Sequence, residues 1–456
     1  MCKYYPHLNL PFNKEKLQRA LQDKHLGFVL KGSLSTAITL FFVQGLRFIS
    51  GVLIGRYYGA EASGRLTLVV TVMGILAIFI NFGIKDALQK LIPEYREKYN
   101  LRAAYSLFLK SNVLILLFSA VGGILLYFGA PALAHYWEEP DMIPLFRWSA
   151  LFLPFFVLGE LNYFSLRAAM KVHTANVSLV LPTVIRIVAL LVVTYWFYHL
   201  DNPIYLHWTT LCVLPWLFSL WPVYRYFHQP SRQDEVLGQV HHQEILSVAF
   251  PMLMTYAAFI VINSADVFLL KSFGIDTADV GIYKTCTNIS MLAATLLVAL
   301  NTTVQPKITQ LYTQNNLQEV QRIAQKSSKL IFWLSVPVFL ILIFGAKYVM
   351  WLYGKEFLGG ALSLAIMTVG QVVNTLCGPT AQLLNATGYH KSFRNISFFG
   401  AVLNILLNIF LIPAYGIEGA AMANALSVIA WNLVGTVYIK KKFGFYIWYI
   451  PFKKMN

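Results

Sequence analysis

The sequence predicts an all-α polytopic membrane protein, with twelve transmembrane helices arranged as two six-helix repeats. Three observations carry that expectation. Apolar residues make up 57% of the 456 residues and charged residues only 12%, about half the charge share of a soluble domain. Apolar blocks of about 20 residues, each able to cross a hydrocarbon core of about 30 Å, recur from end to end. Short motifs of the first half also return, in the same order, in the second.

The blocks place helices at 32–56, 66–84, 104–129, 143–164, 176–198, 207–227, 245–270, 281–304, 330–353, 360–384, 394–413 and 418–439. The first two flank GRYYGAEASGRLTL, and the third and fourth flank an acidic outer loop at 130–142. The fifth opens at Asn176-Val-Ser, and the sixth closes near Arg225. The seventh follows a linker ending in His241-His242-Gln-Glu244, a metal site or, more simply, a solvated loop. The seventh and eighth flank LKSFGIDTADVGIYKT. The ninth follows a polar connector, the tenth carries Cys377, and the eleventh opens at Asn395-Ile-Ser. Pro413 and Gly416 turn the eleventh into the twelfth, where Gly419, Ala420, Ala421 and Ala423 allow close backbone packing.

Lysine and arginine set the orientation. Lys3, Lys14, Lys16, Arg19, Lys24 and Lys31 precede the first helix, and Lys85, Lys90, Arg96, Lys98 and Arg102 follow the second. Further cations sit at Arg167, Lys171, Arg225, Lys307, Lys391, Arg394 and in the tail at Lys440, Lys441 and Lys442. The alternate loops carry Glu138, Glu139, Asp141, Asp201, Asp276, Asp279 and Glu418. The positive-inside rule then puts both termini in the cytoplasm. The net charge of +16 reports topology, and no nucleic-acid partner is expected. The resulting organisation is a basic amphipathic segment at 1–31 lying on the inner leaflet, a six-helix lobe at 32–228, a cytoplasmic linker at 229–243, a second lobe at 244–440 and a basic tail at 441–456.

No cleavable signal peptide is expected, because the first apolar block is long and follows 31 mostly polar residues. Cys2, Cys212, Cys286 and Cys377 lack metal or redox spacing and read as packed thiols. No phosphate-cradling glycine loop, nucleophile elbow or zinc signature appears. Catalytic residues, metals and cofactors are therefore not expected, and the chain reads as a non-enzyme.

The duplication rests on shared order. Arg56 precedes Gly59 by three residues as Lys271 precedes Gly274. A proline-opened amphipathic connector follows the second helix of each half (Pro93, Pro306), and Asn176 and Asn395 open the fifth. A parallel repeat of this kind marks transporters with a midplane site between the halves.

The stretches GSLSTAITLFFVQGLRFISGVLIGRYYGAEASGRLTLVVTVMGI, NFGIKDALQKLIPEY and LNATGYHKSFRNISFFGAVLNILLNIFLIPAYGIEGAAMANALS resemble the polysaccharide-transport, or O-antigen flippase, family of the multidrug/oligosaccharidyl-lipid/polysaccharide (MOP) exporter superfamily. The resemblance covers nearly the whole chain; its C-terminal signature is Ala386–Gly388, the helix-eleven asparagines and Tyr415-Gly-x-x-Gly-Ala-Ala. It implies a MATE-like fold with a V-shaped cavity. It also implies export of undecaprenyl-diphosphate-linked sugars across the bacterial inner membrane, beside the polymerase and glycosyltransferases of that pathway. Membrane lipids and a coupling H⁺ or Na⁺ complete the expected partners.

Such a cargo needs fixed cations for diphosphate and amides or hydroxyls for sugar, and ionisable residues within spans should face the cavity. The spans hold Arg47, Lys110, Arg147, Glu160, Arg186, Asp266 and Lys284. Thr36, Gln44, Arg47 and Gly51 form a polar stripe in helix one. Thr71, Gly74, Ile78 and Asn81 do so in helix two, reaching Lys85. Thr255, Asn263 and Asp266 align in helix seven, and Lys284, Asn288, Met291, Thr295 and Thr302 in helix eight. The expected substrate pathway is Arg47, Arg186, Arg147, Gln44, Asn81, Asn263 and Asn288; Arg47 and Arg186 lie nearest mid-span. Arg147 and Lys110 are placed to snorkel. Asp266 and Lys284 either pair or couple an ion. Glu160 either neutralises an arginine or carries a proton. Asn404 and Asn408 are expected to bond across helices.

Two other classes make different demands on the residues. A cation-coupled drug or metabolite exporter would favour acidic residues in an aromatic cavity. A glycan polymerase or ligase would show a large outer loop with catalytic arginines or histidines. A lipid II flippase is the rival within the class, usually with two additional C-terminal helices.

Overall fold

The computed structural model describes residues 24–196, 203–228 and 242–449. Among them all regular structure is helical: α1 (Lys24–Asn81), α2 (Ile84–Lys98), α3 (Leu101–Tyr136), α4 (Ile143–Ala168), α5 (Val172–Trp196), α6 (Pro203–Phe227), α7 (His242–Ser272), α8 (Thr277–Thr313), α9 (Leu317–Phe344), α10 (Ala346–Tyr353), α11 (Ala361–Cys377), α12 (Thr380–Ala386) and α13 (His390–Phe443), with 3-10 turns at Pro140–Met142 and Lys355–Gly360. Most of the expected amphipathic segment, Cys2, most of the linker with His241, and the last residues of the tail lie outside the described residues.

Two of these helices are far longer than a membrane is thick, and both break at a glycine. α1 is interrupted at Gly59 (φ 84°, ψ 178°) and α13 at Gly416 (φ 54°, ψ −128°). Both have positive φ, where a Cβ would clash and glycine does not. The break in α13 reverses the chain. Asn408 and Asn424 would stand about 24 Å apart along a straight helix, yet both bond to Asp266. A Cβ on Gly419 would lie 2.1 Å from the Leu411 carbonyl oxygen, so the small-residue run lets the two limbs touch.

Seven helical stretches of the described residues are long and apolar enough to span a membrane. Two of them, Ile38–Asn81 and His390–Phe443, each cover most or all of two of the twelve predicted spans. The predicted spans in α6, α7 and α8 are not among the seven. The predicted outer loop at 130–142 is shorter than expected, because the alanine-rich segment after Gly129 continues α3 to Tyr136. The predicted helix at 360–384 is broken after Cys377 by Gly378 (φ 72°) and Pro379, a pairing that ends a helix.

The main core runs through α1 to α11 and on to α13. A smaller one sits under α8, α9 and the end of α13, where Phe445 and Ile447 of the tail fold back onto it. Cys212, Cys286 and Cys377 are buried free thiols.

The sequence halves meet along two seams. At the first, Gly64 and Gly281 cross so closely that a Cβ on Gly64 would stand 1.7 Å from the Thr277 carbonyl oxygen, and one on Gly281 2.5 Å from the Gly64 nitrogen. Beside them Glu356 accepts a hydrogen bond from the Ala60 amide at 2.8 Å, which suits a carboxylate at the start of α1's second limb. Gly51 and Gly55 pack on Tyr353 and Phe357. At the second seam Gly83 (φ 75°) lies against Ala249 and Leu253, with a Cβ position 2.1 Å from the Ala249 carbonyl oxygen, and Phe82 packs on Phe250 at 5.9 Å. Helical rise puts the seams about 30 Å apart. The second limb of α1 is thus clamped at both ends, against α8 at the first seam and against α7 at the second.

Candidate functional site

Three polar clusters interrupt the apolar helices. In the first, Arg47 of α1 and Arg186 of α5 come close enough for their charges to interact. Arg186 is 8% exposed, and its Nε has no hydrogen-bond partner. Arg47 keeps an exposed side chain. His207 and Cys212 of α6 lie in the field of Arg186, and His207 Nδ1 is another buried atom without a partner. No ion pair is formed by either arginine among the described residues. Two cations inside an apolar bundle, one with an unused donor, make a place where an anion would be held by charge and hydrogen bonds together.

The second cluster uses the predicted stripe of helix two. Glu160 of α4 accepts from Lys85 Nζ at 3.0 Å and from Asn81 Nδ2 at 3.2 Å. Lys85, 1% exposed, also lies over the Phe164 ring at 5.2 Å. Glu160 therefore neutralises a lysine, and the arginines expected to share it are left to one another. The reason is local: the left-handed Gly83 starts α2 so that Lys85 turns back toward α4.

The third is built around Asp266, 4% exposed. Its carboxylate accepts from Tyr283 Oη at 2.6 Å, Asn408 Nδ2 at 2.7 Å and Asn424 Nδ2 at 3.3 Å. Asn408 also donates to the side-chain oxygen of Asn404 at 3.1 Å. Asn408 Oδ1 is buried with no partner. Lys284 is near enough to act on Asp266 electrostatically but forms no ion pair with it. Asn408 bonds across helices as expected. Tyr283 and Asn424 were not legible as site residues: one is an aromatic in an apolar helix, the other an amide whose partner lies 158 positions away.

The remaining predicted residues sit apart. Gln44 is partly buried, and Asn288 is exposed on α8. Arg147 is exposed and stacks over Tyr127 at 5.2 Å. Gly51 faces Tyr353 rather than an opening. Asn263 lies on α7, with its side chain outside the described residues, as are those of Thr255, Thr295 and Thr302.

A fourth group closes the first seam. Glu139, in the turn after α3, accepts from Lys271 at 2.9 Å and from the Thr277 hydroxyl. Burial pushes the Glu139 carboxyl up, but those two hydrogen bonds and the charges of Lys271 and Arg65 outweigh it and hold it below the ordinary glutamate value of 4.5.

Residues 29–312 match the family described as polysaccharide biosynthesis protein, and residues 251–410 match MatE. The chain is 29% identical over 187 residues to the probable low-salt glycan biosynthesis flippase Agl15 of Haloferax volcanii, which is 38% of this chain and 39% of that protein. The match thus spans about two fifths of the relative's length. Among solved structures, the lipid II flippase MurJ in an inward closed conformation superposes with a TM-score of 0.72 at 17% identity, covering 89% of this chain and 88% of that one. A multidrug resistance MATE family transporter of the MOP superfamily, inward-facing, gives 0.71 at 16% identity, with 91% and 98% covered. At these identities the structural likeness establishes the fold.

Proposed function

The chain belongs to the polysaccharide biosynthesis protein family, and on that premise we propose that it is a polysaccharide-transport flippase of the MOP superfamily, moving an undecaprenyl-diphosphate-linked oligosaccharide, an O-antigen, capsule or exopolysaccharide unit, from the cytoplasmic to the periplasmic leaflet of the bacterial inner membrane. The observation that carries this reading is the Arg47–Arg186 pair. Two cations held together without a carboxylate are costly inside an apolar bundle. A diphosphate entering between them removes that cost through charge and paired hydrogen bonds. A cationic drug would raise it.

The two seams support alternating access. A passage that opens to one leaflet at a time needs a closure at each end of the same helix, and the second limb of α1 has one at each. In the predicted orientation the Gly64–Gly281 seam faces the periplasm and the Gly83–Ala249 seam the cytoplasm. The Asp266 cluster supports coupling to H⁺ or Na⁺: a buried carboxylate beside the unpartnered Asn408 oxygen offers negative charge and an extra ligand to a small cation or a proton. Arg47, Arg186 and Gln44 would meet the cargo, and Asp266 the coupling ion.

The test is deletion of the gene in its own host. Surface glycan should disappear and its undecaprenyl-diphosphate-linked precursor should accumulate, and the wild-type gene should restore both. Normal surface glycan, together with sensitivity to cationic drugs, would overturn this reading in favour of a drug exporter.

A further inference from the structure

Apart from the polar clusters, a pocket of about 270 Å³ opens where α4 ends, α5 begins and α6 closes, lined by Leu166, Lys171, Thr174, Trp221, Pro222, Arg225 and Tyr226. From its lining we propose that this pocket binds the phosphate headgroup of an anionic phospholipid of the surrounding leaflet. Its lining shares no residue with the three polar clusters.

Four observations converge on that ligand. The first is position: the spans Pro140–Ala168 and Val172–Tyr195 end and begin at the pocket, so it sits at a membrane–water boundary. The second is charge. Lys171 and Arg225 are both exposed and form no ion pair among the described residues. A third cation, Arg96, donates to the Tyr226 hydroxyl at 3.2 Å from behind the lining, and no acid lines the pocket. Unpaired cations at a leaflet boundary attract anionic headgroups. The third is the aromatic rim. Trp221 is 67% exposed and the neighbouring Tyr224 54%, amphipathic rings of the kind that settle at headgroup level. The fourth is size. The pocket is smaller than the roughly 300–1,000 Å³ of sites for drug-sized ligands, so it suits a phosphate headgroup and not a chain of several sugars. Leu166, Pro222 and the Trp221 face supply apolar walls for the first carbons of the lipid, while Thr174 adds a hydroxyl donor.

The experiment uses the purified full-length protein, delipidated in neutral detergent and titrated with phosphatidylglycerol or phosphatidylcholine, with bound lipid read by native mass spectrometry. Phosphatidylglycerol should be retained in preference to phosphatidylcholine. Each neutralised cation near an anionic headgroup weakens binding about fivefold, so Lys171→Gln or Arg225→Gln should each show that loss and the double variant about 25-fold. Thermal melting in phosphatidylcholine, expected to be unchanged, checks that the double variant is folded. Equal retention of both lipids, or undiminished phosphatidylglycerol binding by a folded double variant, would overturn the proposal. So would displacement of the bound lipid by millimolar inorganic phosphate, which would identify a free anion as the ligand.

Discussion

Glu139 accepts a hydrogen bond from Lys271 at 2.9 Å, across the seam that joins the two sequence halves. Lys271 is 7% exposed and Glu139's side chain 20%. Between the value of a surface pair and that of a buried one, this latch contributes about 1.4 kcal/mol to the closed seam, a factor of about ten in opening. Glu139→Lys should therefore speed labelling of a cysteine replacing the buried Ala60 about tenfold, with an impermeant thiol reagent. Glu139→Lys combined with Lys271→Glu should restore slow labelling. Because the carboxyl is held below its ordinary value, the latch is intact above pH 4.5 and is lost as pH falls through the lowered value. Labelling that accelerates between pH 7 and 5 would contradict the assignment.

The same seam has no room at Gly64. A Cβ there would stand 1.7 Å from backbone, not from a flexible side-chain end. Gly64→Ala should therefore cost about 1–3 kcal/mol through overpacking, seen as a lower melting temperature. Gly74, where a Cβ would meet nothing within 4 Å, should accept alanine with little change. Similar melting of the two variants would show that the halves are not in contact at Gly64.

Lys85 and Glu160 differ in exposure, with side chains 2% and 32% accessible, and that asymmetry sets the sign of a comparison. Glu160→Gln takes the carboxylate away from a buried ammonium. Lys85→Met leaves a carboxylate that water can reach. Glu160→Gln should thus be the more destabilising of the two, by about 1–3 kcal/mol, in the amount of folded protein extracted from membranes. The reverse order would mean that Lys85 is stabilised elsewhere.

Spacing alone pairs Gly59 with Gly274 as repeat marks, and both adopt positive φ, 84° and 77°. Turn chemistry is local, and so it is readable. The stripe from Thr71 to Asn81 is readable because helical period fixes which residues share a face, but Lys85 lies beyond the left-handed Gly83 and reaches the side of Asn81 through that turn. Their shared partner is not readable. Glu160 was as plausible a mate for an arginine, and only the turn at Gly83 decides for Lys85. Tyr283 and Asn424 converge on Asp266 from different helices, and no spacing rule links them. The seam glycines Gly64 and Gly281 likewise reveal their close approach only when α1 and α8 are laid together. Burial of Cys212, Cys286 and Cys377 followed from apolar surroundings alone.

Asp266 separates a coupling role from a structural one. Asp266→Ala would leave the donors of Tyr283, Asn408 and Asn424 without their acceptor, at about 1–3 kcal/mol for each stranded group, and should lower folded protein. Asp266→Asn keeps an acceptor oxygen and the side-chain shape but removes the charge. If the cluster takes the coupling ion, Asp266→Asn should be well expressed, yet glycan export should no longer respond to dissipation of the H⁺ or Na⁺ gradient. Export by Asp266→Asn that remains gradient-dependent at wild-type level would rule out this carboxylate as the coupling group.

Arg47 and Arg186 repel each other, and Arg186 Nε is buried without a partner. Arg186→Ala should therefore relieve repulsion, and folded protein should be maintained or slightly increased. Export should nevertheless fall at least about tenfold, because a charge-assisted hydrogen bond to phosphate contributes about 1.5–3 kcal/mol. Arg186→Lys keeps the charge without the two-pronged geometry and should recover part of the activity. Arg47→Ala should behave alike, and the double variant should lose little more than either single one if both cations hold the same diphosphate. A purely structural arginine gives the opposite pattern, with folded protein lost and export per molecule unchanged. Measuring membrane abundance beside surface glycan for all four variants distinguishes these outcomes, and normal export from Arg47→Ala and Arg186→Ala would remove the anion site.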